Sequence, residues 1–292
     1  MTGTGTFGSR LERKIAQYGP LCVGIDPHAY LLSQWGLPHT AAGAREFSLR
    51  VLDAATDQVA AIKPQVAFYE RFGAAGYSVV EELFVEARQR DVIVIADVKR
   101  GDVGTSVDAY ADAWLTPGSP LEADAMTLSA FQGFDSLAGP LNHVVNNGKG
   151  LFILAATSNP EARVIQTARV IGEEDEQRVS VSAHLLEKVD GWNASHSTGA
   201  AGSVGVVLGA TLRLSDYGID IFRTREPSLP VLAPGFGHQG AQLTEARAIF
   251  GNLLPSTLIS ESRSVLSSGL EGIVDAVRQR SDQVRREVVG TP

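Results

Sequence analysis

Apolar residues in this chain cluster in short runs separated by polar, glycine and proline residues. The pattern predicts strands alternating with helices. Eight runs have strand length: Leu21 to Asp26, Ala60 to Lys63, Val92 to Asp97, Ala123 to Ser129, Leu151 to Ala156, Val204 to Gly209, Val231 to Ala233 and Thr257 to Ser260. Most are continuously apolar rather than alternating, as parallel strands covered on both faces must be. Helical patterns lie between them. Ala44 to Val59 follows the first run, and Tyr69 to Arg88 follows the second with Phe72, Val79, Val80 and Leu83 on one side. Leu270 to Val289 places Leu270, Ile273, Val274, Val277, Val284 and Val288 at helical spacing. Strands alternating with helices in this number predict an α/β chain forming one (β/α)8 barrel domain over residues 1–292. A doubly wound open sheet is the structural alternative. No linker divides the chain. The first residues predict a short flexible N-terminus, and Trp192 to Ser203, small and polar, predicts a surface loop before the sixth strand. The acidic run Glu173 to Glu176 predicts a solvated helix start rather than a metal site.

Composition narrows the function classes. The 292 residues are 44% hydrophobic and 20% charged, an ordinary globular balance. The net charge of −8, from 33 acidic and 25 basic residues, argues against a nucleic-acid binder with a dominant basic face. A single cysteine, Cys22, excludes a disulfide framework within the chain and any Cys-rich zinc site, and its place in the first run predicts a small buried apolar residue. The opening Met-Thr-Gly-Thr-Gly-Thr-Phe-Gly-Ser lacks the apolar segment of a signal peptide, and no run is long enough to span a membrane. These features predict a cytoplasmic protein with neither membrane nor nucleic acid as partner, in which Asn193-Ala194-Ser195 matches the glycosylation tripeptide by chance. None of the six histidines (His28, His39, His143, His184, His196, His238) forms a His-x-x-x-His pair. Neither a Gly-x-Ser-x-Gly elbow nor a Walker loop occurs. Trp35, Trp114 and Trp192 read as packing residues.

In a barrel, functional groups collect at the C-terminal ends of strands. The polar residues that end the apolar runs are Asp26-Pro27-His28, Lys63-Pro64-Gln65, Asp97-Val98-Lys99-Arg100-Gly101-Asp102, Thr157-Ser158-Asn159-Pro160, Pro234-Gly235-Phe236-Gly237 and Ser260 to Arg263. Asp97 and Lys99 are two apart on a segment expected to be extended, so their side chains should share the interior face. With Lys63 and Asp26 at equivalent strand ends, carboxylates and ammoniums can hold one another ionised where single charges would neutralise. A structural salt-bridge cluster is the alternative. The turn from Pro234 to Gly240, followed by Arg263 after the eighth strand, fits the phosphate site that barrels build from their last two loops. Its glycines, Gly240 among them, let backbone N–H groups approach an anion, and the arginine adds a bidentate partner.

Taken together these residues resemble orotidine 5′-phosphate decarboxylase. Asp97-Val98-Lys99-Arg100-Gly101-Asp102 matches the Asp-x-Lys-x-x-Asp signature of that family, in the form that its bacterial Lys-Arg-Gly-Asp subfamily carries. Gly24-Ile25-Asp26-Pro27, Lys63-Pro64-Gln65, Thr157-Ser158-Asn159-Pro160 and Pro234-Gly235-Phe236-Gly237 match in the right order, and the matches run from about Gly24 to Arg263. The resemblance implies a homodimeric barrel that converts orotidine 5′-monophosphate to UMP and CO2 without metal or organic cofactor. It assigns Lys63, Asp97, Lys99 and Asp102 to an alternating charge network, Asp102 being supplied by the partner subunit. Asp26 corresponds to a ribose ligand, Ser158 to the hydroxyl facing the pyrimidine, and Gln239 and Arg263 to phosphate ligands. Two positions depart from the family pattern. Ser106 stands where threonine is usual, which keeps the hydroxyl for the ribose contact. The phosphate turn reads Gln239-Gly240-Ala241 where Gln-Gly-Gly is frequent, so the loop must differ if its last position needs positive φ.

The chemistry agrees with these assignments. Losing CO2 from C6 leaves a carbanion without a π sink, and Lys99 supplies both a fixed positive charge and the proton that C6 then takes. Three other readings use the same residues: a Mg²⁺-dependent sugar-phosphate decarboxylase sharing the signature, a Schiff-base aldolase using Lys63 or Lys99, and an inactive barrel kept as a binding protein.

Overall fold

In the computed structural model, which describes residues 5–170 and 179–290, the strands run parallel and close into a barrel in sequential order. They are β1 (Leu21–Ile25), β2 (Ala61–Pro64), β3 (Ile93–Arg100), β4 (Ala125–Leu128), β5 (Gly150–Ala156), β6 (Val204–Leu208), β7 (Val231–Pro234) and β8 (Thr257–Glu261). Each falls on one of the predicted apolar runs. Pairing of β1 with β8, Leu21 opposite Ile259 and Cys22 opposite Ser260, closes the ring and excludes the open sheet. The strands are buried on both faces because helices pack on the outside while side chains fill the inside.

The floor of the barrel is apolar. Cys22, Ala61, Ile95, Ala125, Phe152, Val207, Leu232 and Leu258 point into one cluster there. Burial pushes the Cys22 thiol up to about 12, so it stays protonated and behaves as the small hydrophobe expected. The floor is stoppered by a helix that the sequence pattern did not announce. Phe7–Tyr18 is helical, with the Thr6 side chain capping it by accepting from the Ser9 N–H. Its first residue, Phe7, is fully buried and meets Phe152 edge to face at 5.9 Å. Arg10 ties the same helix to Asp124, whose other oxygen accepts the Val94 N–H at 2.9 Å. The helix has few apolar positions, chiefly Phe7, Leu11 and Ile15, and this sparse stripe is what kept it hidden.

Three helices differ from expectation at their ends. The helix after β1 is Ala41–Ala55, ending before Asp57, which takes a left-handed φ of 59°. The Tyr69 to Arg88 pattern is divided into a turn, Ala67–Glu70, and a helix, Ala74–Gln89, because the chain bends through Gly73 at φ 60°. The last helix, Gly269–Val284, continues as a wider turn over Arg285–Val289, and within it Val274 faces solvent although Ile273, Val277, Val284 and Val288 are buried. Only part of the Trp192 to Ser203 segment is a loop. The helix Val181–His196 runs through its first half, with the Trp192 and His196 rings stacked at 4.4 Å. Asn193 is buried in that helix, donating to the Val204 carbonyl at 2.7 Å and accepting its N–H at 3.2 Å, so the glycosylation tripeptide is packed against β6. Trp35 and Trp114 are buried as packing residues. The acidic run Glu173 to Glu176 lies outside the described residues.

Gly150 makes room for the stopper. A Cβ at that position would sit 2.2 Å from the Phe7 ring. Gly150→Ala is therefore expected to cost about 1–3 kcal/mol of stability, read as a lowered Tm. A Gly150→Ala, Phe7→Ala double variant should lose less than the sum of the two single losses, because the clash and the packing share one contact. Additive losses would show that the two positions do not communicate.

Candidate active site

At the C-terminal mouth of the barrel lies a cavity of about 450 Å³. Lys63 enters it from β2, and Asp97 and Lys99 from β3. Asp97 is the centre of the group. Its Oδ2 accepts from Lys63 Nζ at 2.9 Å and its Oδ1 from Lys99 Nζ at 2.7 Å. The Lys63 and Asp97 side chains are 10% and 8% exposed, whereas Lys99 is 45% exposed and reaches into the cavity. Burial alone would raise the Asp97 carboxyl, but the Lys63 and Lys99 ammoniums overcome it and hold it down at about 2. Burial likewise works against the Lys63 charge, and Asp97 with Asp26 reverses this and lifts Lys63 above the usual ammonium range. Lys63, Asp97 and Lys99 thus form a contiguous row joined through the Asp97 carboxylate.

The segment is extended as expected, being part of β3, with an exception at Lys99. Lys99 has a φ of 46°, and the register of β3 against β4 shifts between Ala96 and Arg100. Asp97 and Lys99 share the cavity face, and across this bulge the lysine Nζ reaches the carboxylate two residues before it. Thr127 of β4 lies beside the bulge and was missed by the sequence reading. Its Oγ1 accepts the Lys99 N–H at 2.9 Å and donates to Asp97 Oδ1 at 2.9 Å. The only trace it leaves in the sequence is a hydroxyl inside the apolar run Met126-Thr127-Leu128. Gln65, beyond β2, accepts from Lys99 Nζ at 2.8 Å.

Asp26 and His28 form the wall beyond β1, next to Ser262 beyond β8. Asp26 Oδ1 and Ser262 Oγ are buried and have no hydrogen-bond partner among the described residues. An unpaired buried acceptor of this kind is costly unless a ligand or water meets it. Gly24 lets these strands approach, since a Cβ there would lie 2.8 Å from Ser262 Cβ. His28 packs on Phe68 at 4.1 Å, and burial lowers its pKa; Asp26 opposes this, and Arg263 and Arg71 reinforce it.

The opposite end of the cavity is suited to an anion. Gln239 and Arg263 both line it, and Arg263 has no carboxylate partner among the described residues. Gly235, Gly237 and Gly240 take φ values of 125°, 65° and 109°. Ala241 keeps negative φ and donates to the Gly235 carbonyl at 3.1 Å, so the turn closes without a further glycine. The Gly240 amide donates to the Gly237 carbonyl at 3.0 Å, and Gly240 borders a neighbouring cavity instead of this one. Behind Arg263, the fully buried Glu261 carboxylate receives the Arg280 guanidinium and the Ser264 hydroxyl.

Ser158 lines the cavity with Thr157 and Asn159 at the end of β5. Asp102 and Ser106 do not. Asp102 Oδ1 accepts its neighbour's Val103 N–H at 2.9 Å, and Ser106 is exposed in the first turn of the Gly104–Leu115 helix. Among the described residues, no three His, Cys, Asp or Glu side chains converge as metal ligands, and no helix is long and apolar enough to cross a membrane.

Comparison with known proteins extends these observations to nearly the whole chain. A family model described as Orotidine 5′-phosphate decarboxylase / HUMPS family matches residues 19–266. An orotidine 5′-phosphate decarboxylase from Salinispora arenicola is 42% identical over 279 residues, covering 96% of this chain and 95% of the relative. One from a Nocardioides species is 44% identical over 280 residues, covering 96% and 98%. A crystal structure from Streptomyces avermitilis, described as a candidate orotidine 5′-phosphate decarboxylase, superposes with a TM-score of 0.88 at 39% identity, covering 98% of this chain and 97% of that one. The Leishmania donovani OMP decarboxylase structure gives 0.76 at 28% identity, covering 97% and 99%.

The depressed Asp97 carboxyl has a consequence for stability. Its folded value of about 2 lies below the ordinary 3.8, so ionised Asp97 stabilises the fold above that value and the contribution is lost as pH falls toward 2. The difference corresponds to roughly 2 kcal/mol. Urea unfolding at a series of pH values from 5 to about 2 should show wild type losing that much more stability than Asp97→Asn. Parallel curves for the two proteins would mean that the row of charges does not favour the ionised carboxylate.

Proposed function

Because the chain belongs to the orotidine 5′-phosphate decarboxylase / HUMPS family, we propose that it converts orotidine 5′-monophosphate to UMP and CO2 in pyrimidine nucleotide biosynthesis, as a cytoplasmic homodimer. The observation that carries this reading is the row Lys63–Asp97–Lys99 at the barrel mouth, with Lys99 reaching into the cavity.

The pyrimidine lies with C6 toward Lys99. The C6–carboxylate bond breaks heterolytically, its electron pair stays on C6, and CO2 departs. The Lys99 ammonium stabilises the developing carbanion and then transfers a proton from Nζ to C6, and solvent restores that proton. Asp97 lies beside the departing carboxylate and orients both lysines. Ser158 faces the pyrimidine. The unpartnered Asp26 Oδ1 supports a ribose hydroxyl at that wall, because a hydroxyl donor would satisfy it. Gln239 and Arg263, which has no carboxylate partner among the described residues, hold the phosphate, whose binding energy is realised at the transition state.

Asp102 completes the charge network from across a two-fold interface, and Ser106 follows it to the ribose. Two observations support this. Asp102 stands outside its own chain's cavity, and the adjoining loops expose Val103 (54%) and Phe131 (77%), apolar residues that a partner would cover. The loops adjoin because a Cβ on Gly101 would lie 2.5 Å from the Ser129 carbonyl.

Purified protein should consume orotidine 5′-monophosphate, followed by absorbance, at a rate unchanged by EDTA. Activity lost to the chelator and restored by Mg²⁺ would instead favour a sugar-phosphate decarboxylase type of site. Lys99→Ala should lower kcat at least about 10³-fold, roughly 4 kcal/mol, while UMP binding weakens far less; a variant within tenfold of wild type would reject the role of Lys99.

The shared site gives a second expectation. Lys99→Ala and Asp102→Ala homodimers should each be nearly inactive. Refolded together in equal amounts, roughly half of the dimers are mixed, each with one doubly defective site and one intact site, and activity returns to about one quarter of wild type. Native mass spectrometry counts the mixed dimers. If they form and activity stays low, Asp102 serves its own chain.

A further inference from the structure

We propose that Thr127 is a positioning residue for the reaction, a clamp that sets the Asp97–Lys99 pair in its working geometry; this rests on the decarboxylase reading of the site. Thr127 is 1% exposed and belongs to the apolar stretch of β4. Its hydroxyl bridges atoms two residues apart on the neighbouring strand, donating to Asp97 Oδ1 and accepting the Lys99 N–H, each at 2.9 Å.

Both bonds answer a specific need. At the bulge the β3–β4 register slips, and the Lys99 N–H is met by the threonine oxygen in place of a strand carbonyl. Lys99 also adopts a left-handed φ of 46°, a conformation that a residue with a side chain holds only when its surroundings enforce it. On the other side, the Thr127 O–H fixes the Asp97 carboxylate, which already receives Lys99 on the same oxygen and Lys63 on the other. A carboxylate turns readily about its last bond. Three donors in fixed directions stop that rotation, so each lysine keeps its own oxygen. Valine has nearly the shape of threonine and suits the apolar run around it, so packing in β4 does not call for the hydroxyl. The hydroxyl serves the reacting pair.

The test compares Thr127→Val, Thr127→Ala and Thr127→Ser with wild type, measuring kcat and KM for orotidine 5′-monophosphate, UMP binding and Tm. The expected result is a kcat lowered about 10- to 100-fold in the valine and alanine variants, as for a lost hydrogen bond to a charged group. KM and UMP binding should stay within about threefold, and the serine variant should return kcat close to wild type. Two hydroxyl-free variants of different size guard against one of them failing to fold. A kcat within about threefold of wild type in either folded hydroxyl-free variant would overturn the clamp, as would a serine variant as impaired as alanine. A wild type that binds UMP but does not decarboxylate would overturn the decarboxylase reading and the clamp with it. Active wild type beside an unaffected Thr127→Val overturns the clamp alone.

Discussion

A carboxylate buried between two ammoniums is the constraint around which this barrel's upper half is built. Lys63 and Lys99 offset the burial that disfavours the charged form of Asp97, and Asp97 with Asp26 does the same for Lys63. The three side chains of the row come from strand ends whose positions the closed sheet fixes. The cost of desolvating the row is met by the folding of the whole barrel. In the proposed reaction, what the row offers a substrate is a lysine whose direction is set by Asp97 and Gln65 before anything binds. Electrostatic stabilisation of a developing anion depends on that advance arrangement, because nothing has to reorient while the bond breaks.

Chemistry and stability occupy opposite ends of the same strands. Toward the floor, the barrel interior is apolar and closed by Phe7 against Gly150 and Phe152. Ion pairs near that end, Arg10 with Asp124 and Lys149 with Glu122, hold the connections between strands and the N-terminal helix. At the mouth, the same strands end in Asp26, Lys63, Asp97, Ser158 and Glu261. The dry floor stiffens the platform from which these side chains project, as a site of this kind requires.

The anion end has its own foundation. Glu261 terminates β8 fully buried and is neutralised by Arg280 from the last helix. A Cβ at Gly237 would lie 2.9 Å from Glu261 Oε2, so the glycine turn and the Arg263 turn both rest on this carboxylate. Arg280 pairs with the Glu261 carboxylate, and among the described residues Arg263 has no carboxylate partner.

Strand order, barrel class and the charged strand ends were legible in the sequence, because they follow from local runs of apolar residues and from the polar residues that end them. Lys63, Asp97, Lys99, Asp26, Ser158, Gln239 and Arg263 line the cavity where those rules placed them. The departures arise wherever a distant contact decides. Phe7 joins the floor because Gly150, far along the chain, leaves space for its ring. Asn193 stays helical and buried because β6 offers it a carbonyl and an amide. Lys99 turns to positive φ, and Thr127 gains its role, only when β3 and β4 lie side by side with a slipped register. Periodicity reports which face of an element is buried; it carries no information about which side chain from another strand will meet it there. Sequence alone therefore determined the elements and the kinds of charge at their ends, and tertiary structure decided how those charges are aimed, because hydrogen bonds between strands form only after the chain has closed.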